Sequence, residues 1–177
     1  GVGDGKDRYT TADRRAVLQY LNMQRWKDAE NGAFAPGGHD IYVDEKGNVT
    51  VSDRILPETL PANSNPVLKE FFDYYRMPRG FHARSVNSTS AWNATMPLSF
   101  MNMPLLSYAN EVTIPTLIVT GEKAHSRYFA EDAFKAIGSK EKELVIVPEA
   151  NHVDLYDNVA GKIPFAKFEQ FFKANLR

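Results

Sequence analysis

The sequence predicts an α/β protein whose parallel sheet is completed by strands from outside the printed 177 residues. Two short, mostly apolar runs, 116–120 (TLIVT) and 143–147 (ELVIV), each precede a helical pattern. Strand, helix, strand and helix in this order are typical of a parallel sheet. Apolar strands of this kind are buried on both faces and need neighbours at their sides. Residues 1–110 offer no further run of this type, so the missing strands are expected from elsewhere.

The composition excludes several classes of protein. The chain has 21 Lys and Arg against 22 Asp and Glu, and this balance lacks the basic surplus of a nucleic-acid binder. It has no cysteine, which excludes a disulfide framework, a thiolate zinc site and a cysteine nucleophile. No run of about 18 apolar residues occurs, so no membrane span is predicted. The histidines, at positions 39, 82, 125 and 152, lack metal-ligand spacing, and no metal or other cofactor is expected.

The first element is predicted to be an amphipathic helix. Thr10 or Thr11 before Asp13 resembles a capping box, and 31–32 (NG) ends the pattern. The predicted apolar face consists of Ala16, Val17, Tyr20, Leu21 and Trp26. The charged residues, Asp28 among them, are interpreted as a solvated face. The glycine-rich residues 1–7 are typical of a loop within a longer protein.

A hairpin and a second helix follow in the first half. The runs 41–43 and 49–51 flank a glycine-containing turn, which predicts a hairpin, expected to be peripheral. A helix is predicted over 67–75, because Asn followed by Pro at 65–66 is a favourable helix start. Segment 85–103 is predicted to be a loop with apolar content that is either buried or lines a pocket.

The last third repeats strand and helix. A helix follows the first buried strand, with Ser126 as its cap and Gly138 at its end. The second buried strand ends at Pro148, and a final helix begins at Ile163 or Pro164. The carboxyl ends of both strands are therefore the places to search for chemistry, since ligands of α/β sheets gather there.

His152 and Glu122 lie just past the two strand ends. Adjacent strand ends would bring an imidazole and a carboxylate within reach, as in the orienting pair of a catalytic triad. The alternatives are a structural histidine and a solvated loop carboxylate, and Asp154 is interpreted as a turn or capping residue. No G-x-S-x-G nucleophile elbow and no phosphate-binding glycine loop occur in the sequence.

Several segments resemble the α/β-hydrolase superfamily, and within it a bacterial group of hydrolases related to dienelactone hydrolases and prolyl-oligopeptidase-like esterases. The resemblance covers most of the chain. The segments are 115–129 (PTLIVTGEKAHSRYF), 143–148 (ELVIVP), 151–157 (NHVDLYD), 25–26 (RW), 70–76 (EFFDYYR), 78–80 (PRG) and 97–106 (PLSFMNMPLL).

The resemblance implies that residues 1–112 are a mostly helical cap segment and that 113–177 are the last strands and helices of the hydrolase core. The nucleophilic serine, its elbow and the oxyanion hole would belong to an N-terminal portion of the same protein. His152 matches the catalytic histidine of the group. Many members carry Asp where this chain has Ala124. The triad acid is therefore Glu122, the nearest carboxylate, or an acid from another strand, or the triad is defective.

The resulting hypothesis is a serine esterase that forms an acyl-enzyme on a small ester-like substrate. Trp92, Phe100 and Met101 are expected to contact the substrate. The partner that supplies the missing strands is the N-terminal portion, or a second copy of the chain in an oligomer. The alternative, prompted by Ala124, is a non-catalytic binding or interaction protein that keeps the scaffold with a degenerate triad.

Overall fold

The computed structural model describes residues 9–38 and 41–176, and it is of mixed α/β type with one parallel strand pair. The predicted loop at 1–7 and His39 lie outside the described residues. Contacts divide the chain into two units, one ending at Pro104 and one beginning at Leu105. Residues 105–112, assigned by sequence to the cap segment, therefore fold with the second unit.

The first unit contains four helices and four short strands among its described residues. These are α1 (Thr11–Asn31), β1 (Pro36–Gly37), β2 (Ile41–Val43), β3 (Val49–Val51), α2 (Pro66–Tyr75), α3 (Val86–Thr89), β4 (Trp92–Asn93) and α4 (Pro97–Met101). The second unit contains a 3₁₀ turn (Ala109–Glu111), β5 (Thr116–Gly121), α5 (Arg127–Ala136), β6 (Lys142–Val147), a second 3₁₀ turn (Val153–Leu155) and α6 (Phe165–Asn175).

Helix α1 begins and ends as its sequence predicts. The Thr10 hydroxyl accepts a hydrogen bond from the Asp13 N–H, and the Asp13 carboxylate accepts one from the Thr10 N–H, which completes the capping box. Gly32 ends the helix in the left-handed region, with φ of 62°. That conformation favours glycine, so both ends of α1 are encoded locally.

The buried face of α1 differs from the prediction at two positions. Val17 and Leu21 are buried as predicted, but Trp26 is 73% exposed and Asp28 is buried. At about 100° per residue, Trp26 lies about 140° around the helix from Leu21, whereas Asp28 lies within about 20° of it. Helical geometry thus places Asp28 on the core face, where its Oδ1 accepts hydrogen bonds from the Gln24 side chain and the Ala35 N–H.

The hairpin β2–β3 forms as predicted, in antiparallel register with Ile41 opposite Val51. The prediction that it is peripheral is wrong. Ile41 is 2% exposed and forms the core of the first unit together with Val17 and Leu21. The Tyr9 hydroxyl also donates to the Ile41 carbonyl, which ties the start of the chain's described part to the hairpin.

Helix α2 is confirmed, and the Asn65 side chain caps it by accepting a hydrogen bond from the Leu68 N–H at 2.8 Å. Segment 85–103 is more regular than the predicted loop, since it contains α3, β4 and α4. Strand β4 pairs with β1, with Trp92 opposite Gly37. Among residues 9–38 and 41–176, no helix is long and apolar enough to cross a membrane.

The parallel pair β5–β6 is confirmed, with a register that runs from Thr116 opposite Lys142 to Gly121 opposite Val147. Its burial differs from the expectation of two fully covered faces, because residues 116–119 are only half-buried. In the part of the chain that the structure describes, each of these strands has one neighbour. Helix α6 also leaves Phe165 and Phe172 more than half exposed.

Gly138 lies beyond the end of α5 and does not cap it as the sequence predicts. Helix α5 ends at Ala136 with Ile137 as its cap, and Gly138 lies beyond. A Cβ atom at Gly138 would lie 1.9 Å from the Asn110 carbonyl oxygen. The glycine therefore permits close contact between this loop and the 3₁₀ turn at Ala109–Glu111.

Replacement of Leu21 tests the core of the first unit. Leu21→Ala should lower the free energy of unfolding by about 2–5 kcal/mol, because it removes a fully buried side chain and leaves a cavity. Trp26→Ala, on the exposed face of the same helix, should change it by no more than about 0.5 kcal/mol. Urea unfolding followed by circular dichroism measures both. Equal losses in the two variants would contradict the observed orientation of α1.

Candidate functional site

The loops that follow β5 and β6 are bound to each other at the carboxyl end of the parallel pair. The Glu122 N–H donates to the Val147 carbonyl at 2.9 Å, and the Lys123 N–H donates to the Ala150 carbonyl at 2.8 Å. A Cβ atom at Gly121 would lie 2.3 Å from the Ala150 oxygen, so only glycine fits there. This tight contact places the residues that follow each strand side by side.

His152 and Ser126 meet across these two loops. The Ser126 hydroxyl oxygen lies 2.6 Å from Nδ1 of His152, although 26 residues separate them. His152 precedes the 3₁₀ turn Val153–Leu155, and Ser126 precedes helix α5. The sequence predicts a role for Ser126 only as a helix cap. A signal for the site is nevertheless present, because both residues lie within five positions of a strand's carboxyl end.

The His152 imidazole is half-buried among aromatic rings. The His125 ring centroid lies 5.0 Å from that of His152, and the Tyr156 ring packs edge-on at 5.3 Å. Burial lowers the pKa of His152, and the nearby His125 lowers it further. Burial also lowers the pKa of His125. His152 is therefore neutral at pH 7 and able to accept a proton, as a general base requires.

Glu122, the predicted orienting acid, makes a different contact. Its carboxylate accepts a hydrogen bond from the Glu149 N–H at 2.9 Å. Glu149 has φ of 54°, in the left-handed region, and its side chain forms an ion pair with Lys123 that lowers the pKa of Glu149. The side chain that contacts His152 is thus Ser126, whereas the Glu122 carboxylate binds the backbone of the loop after β6.

Asp154 is confirmed as a turn residue. Its carboxylate accepts a hydrogen bond from the Asn151 N–H at 3.1 Å, and the Asn151 side chain accepts one from the Asp154 N–H at 2.9 Å. Lys162 bridges the Asp154 carboxylate at 2.8 Å and the Glu149 carbonyl at 2.7 Å. These contacts hold the loop residues on both sides of His152.

The three predicted substrate-contacting residues all lie in the first unit. Trp92 is half-buried in β4, Phe100 is 57% exposed on α4, and Met101 packs against the Val17, Leu21 and Ile41 core. This unit also holds a cavity of about 610 Å³, lined by Arg25, Asp28, Ala29, Gly32, Ala33, Phe34, Thr95, Leu98, Ser99 and Asn102. Within residues 9–38 and 41–176, no group of three His, Asp or Glu side chains is placed to hold a metal ion.

The structure defines a mixed α/β chain with a histidine–serine pair at the carboxyl end of its parallel strands. Two proteins resemble it in sequence. The Pseudomonas aeruginosa uncharacterized protein PA2218 is 44% identical over 171 residues, which span 96% of this chain and 41% of PA2218. The Escherichia coli uncharacterized protein YcjY is 27% identical over 128 residues, which span 67% of this chain and 41% of YcjY.

A solved structure supports the mixed α/β fold. The crystal structure of the hypothetical protein PA2218 matches with a TM-score of 0.77 and 42% identity, over 97% of this chain and 48% of that one. The chain therefore spans less than half the length of the relatives it matches. No protein-family model matches the chain.

Proposed function

We propose that this chain is the C-terminal part of a serine hydrolase of the α/β-hydrolase fold, which cleaves carboxylic esters or related acyl bonds. The observation that carries the proposal is the neutral, half-buried imidazole of His152, whose Nδ1 is hydrogen-bonded at the carboxyl end of a parallel strand pair. Catalytic groups of α/β sheets gather at that end. An imidazole with one nitrogen fixed presents the other to a reacting group.

In the proposed reaction, His152 moves protons in both halves of the cycle. Its Nε2 takes the proton of the nucleophilic serine while the serine oxygen attacks the acyl carbon. The imidazolium then gives that proton to the departing alkoxide, which leaves as an alcohol with the acyl group bound to the serine. In the second half, His152 takes a proton from water as the water attacks the acyl-enzyme, and it returns the proton to the serine oxygen as the carboxylic acid departs.

The nucleophile of the proposed enzyme lies in an N-terminal portion outside the printed sequence. The half-buried faces of β5 and β6 and the exposed phenylalanines of α6 support this, because parallel strands are ordinarily covered on both sides. The chain also covers only 41% of PA2218, which leaves room for further strands in a relative of that length. The same N-terminal portion would supply the oxyanion hole.

Hydrolysis of p-nitrophenyl esters by the complete protein tests this proposal. We expect turnover with a burst of p-nitrophenolate that equals the enzyme concentration, because an acyl-enzyme accumulates when deacylation is slower than acylation. Prior treatment with a fluorophosphonate should abolish turnover. If esters of short, medium and long acyl chains show no hydrolysis and the fluorophosphonate forms no adduct, the proposal is wrong.

Two observations favour a second candidate, a non-catalytic binding protein on the same scaffold. Ala124 occupies the position where the resemblance implies an acid, and the Glu122 carboxylate is engaged by the Glu149 backbone. Such a protein would keep the histidine–serine pair as a structural contact between the two loops. The same fluorophosphonate treatment distinguishes the two candidates, because a degenerate site forms no adduct.

A further inference from the structure

We propose that Ser126 is the positioning residue of His152: its hydroxyl accepts the Nδ1–H of the imidazole and thereby leaves the lone pair of Nε2 for the nucleophile. This inference rests on the proposed function and adds a residue to its machinery. In a Ser-His-Asp triad, a carboxylate holds Nδ1 and selects the tautomer. Here the atom placed at Nδ1, 2.6 Å away, is the Ser126 hydroxyl oxygen.

The Ser126 hydroxyl does not cap α5, the helix that follows it. Ser126 is the N-cap residue of α5, yet its side chain makes no capping hydrogen bond. Serine at this position commonly accepts a backbone N–H of the first turn. The hydroxyl is instead directed to an imidazole on another loop. Helix stability therefore does not account for the orientation of this side chain.

Hydrogen bonds hold the loops that carry both partners. On the Ser126 side, the Arg127 N–H donates to the Ala124 carbonyl at 3.0 Å, and the Phe129 N–H donates to the Ser126 carbonyl at 3.0 Å. On the other side, the reciprocal bonds of Asn151 and Asp154 enclose His152. The contact between Lys123 and the Ala150 carbonyl joins the two loops. The distance between hydroxyl and imidazole is thus set by the fold.

A hydroxyl at this position has a chemical consequence that a carboxylate would not have. It selects the tautomer through a hydrogen bond but adds no negative charge to stabilise the imidazolium. An enzyme oriented in this way keeps its histidine neutral to lower pH than one with an Asp–His pair. The rings of His125 and Tyr156 contact the His152 ring, and both side chains remain in every variant used below.

Kinetics of Ser126 variants in the complete protein test the role. Ser126→Ala should lower kcat about 10- to 100-fold with little change in KM, the range expected when a reacting group loses one hydrogen bond. Ser126→Thr, which keeps a hydroxyl, should restore most of the rate. Ser64→Ala, which removes an exposed hydroxyl in the first unit, is the matched control and should keep the wild-type rate. A Ser126→Ala enzyme with wild-type kcat would overturn the inference.

The pH profile separates positioning from a merely structural role. The wild-type rate should fall with acidification through a midpoint below 6.5, because His152 must be neutral to act and its pKa is lowered. Ser126→Asp places a carboxylate near Nδ1, stabilises the imidazolium and should move that midpoint upward by about one pH unit or more. Ser126→Ala should not move it upward. A midpoint that is the same in Ser126→Asp and wild type would contradict the assignment.

The tautomer of His152 can be observed directly by ¹⁵N NMR of the histidine-labelled protein at pH 8, with His152→Gln to assign the signals. We expect Nδ1 to carry the proton and Nε2 to be bare in the wild type. In Ser126→Ala we expect a mixture of tautomers. A proton on Nε2 in the wild type would mean that Ser126 donates to Nδ1, and this result would overturn the inference.

The experiments distinguish a failure of the Ser126 positioning role from a failure of the proposed hydrolase function. If the enzyme hydrolyses esters and needs His152, but Ser126→Ala has full activity, only the positioning role is wrong. If the protein neither hydrolyses esters nor reacts with a fluorophosphonate, the proposed function is wrong. The tautomer measurement reports on the contact between Ser126 and His152 in either case.

Discussion

Replacing His152 with alanine should lower ester turnover by the complete protein by about 10³-fold or more. His152 accepts and returns the proton in both halves of the proposed reaction, and general acid–base groups contribute factors of this size. Initial rates at saturating p-nitrophenyl ester measure the effect. The loss should fall mainly on kcat, because the imidazole acts on the transition state and not on the bound acyl group.

His82→Ala is the matched control for this substitution. His82 is an exposed imidazole in the first unit, and its Nδ1 accepts a hydrogen bond from the Arg84 N–H at 3.2 Å. We expect the wild-type rate from this variant. A His152→Ala enzyme that retains near-wild-type turnover would remove His152 from the mechanism.

Replacing Gly121 with alanine should damage both stability and activity. The added Cβ would lie 2.3 Å from the Ala150 carbonyl oxygen and 2.9 Å from the Asn151 carbonyl oxygen. Both are backbone atoms, so the loop that carries His152 must move away from β5. We expect the free energy of unfolding to fall by about 3 kcal/mol or more, and His152 to lose its contact with Ser126.

Gly161→Ala supplies the comparison for Gly121→Ala within the same unit. Gly161 has φ of 65°, and a Cβ atom added there would have no heavy atom within 4 Å. Its substitution therefore costs backbone strain alone, about 1–2 kcal/mol. Thermal unfolding and ester turnover are measured on both variants. If Gly121→Ala is no more costly than Gly161→Ala and retains full activity, the two loops are not packed as the structure has them.

Much of the fold could be predicted because its signals are local. The capping box at Thr10 and Asp13, the Asn65 cap and the two apolar runs that became β5 and β6 each depend on residues close together in sequence. A capping side chain reaches only the first turn of its own helix. Such elements need no knowledge of the rest of the chain.

The errors have two causes: one concerns the face of a single helix, and the other concerns a contact with a distant part of the chain. The error at Trp26 is local, because at about 100° per residue Asp28, and not Trp26, shares the helix face of Leu21. Ile41 was expected at the periphery because nothing local shows that the hairpin packs on α1. Which residues become buried depends on which elements pack against each other, and a single sequence does not show this packing.

The candidate site also contains features that the sequence predicts and features that depend on how the loops pack. His152 could be predicted because it follows a buried strand, where the ends of parallel strands place ligand-binding groups. The position of Ser126 near the end of β5 could be predicted as well, but its contact with His152 could not, because the hydroxyl meets the imidazole only when the two loops pack at Gly121. The direction of the Glu122 carboxylate likewise depends on the Glu149 backbone, whose left-handed conformation is set by the turn after β6.

Mapping the fluorophosphonate adduct by tandem mass spectrometry of the complete protein tests the central claim most directly. We expect a single modified serine, located outside these 177 residues, and a strongly reduced rate of modification in His152→Ala. An adduct on Ser126 would contradict it, because this serine would then be the nucleophile and not the residue that positions the histidine. No adduct on any serine would contradict the hydrolase itself.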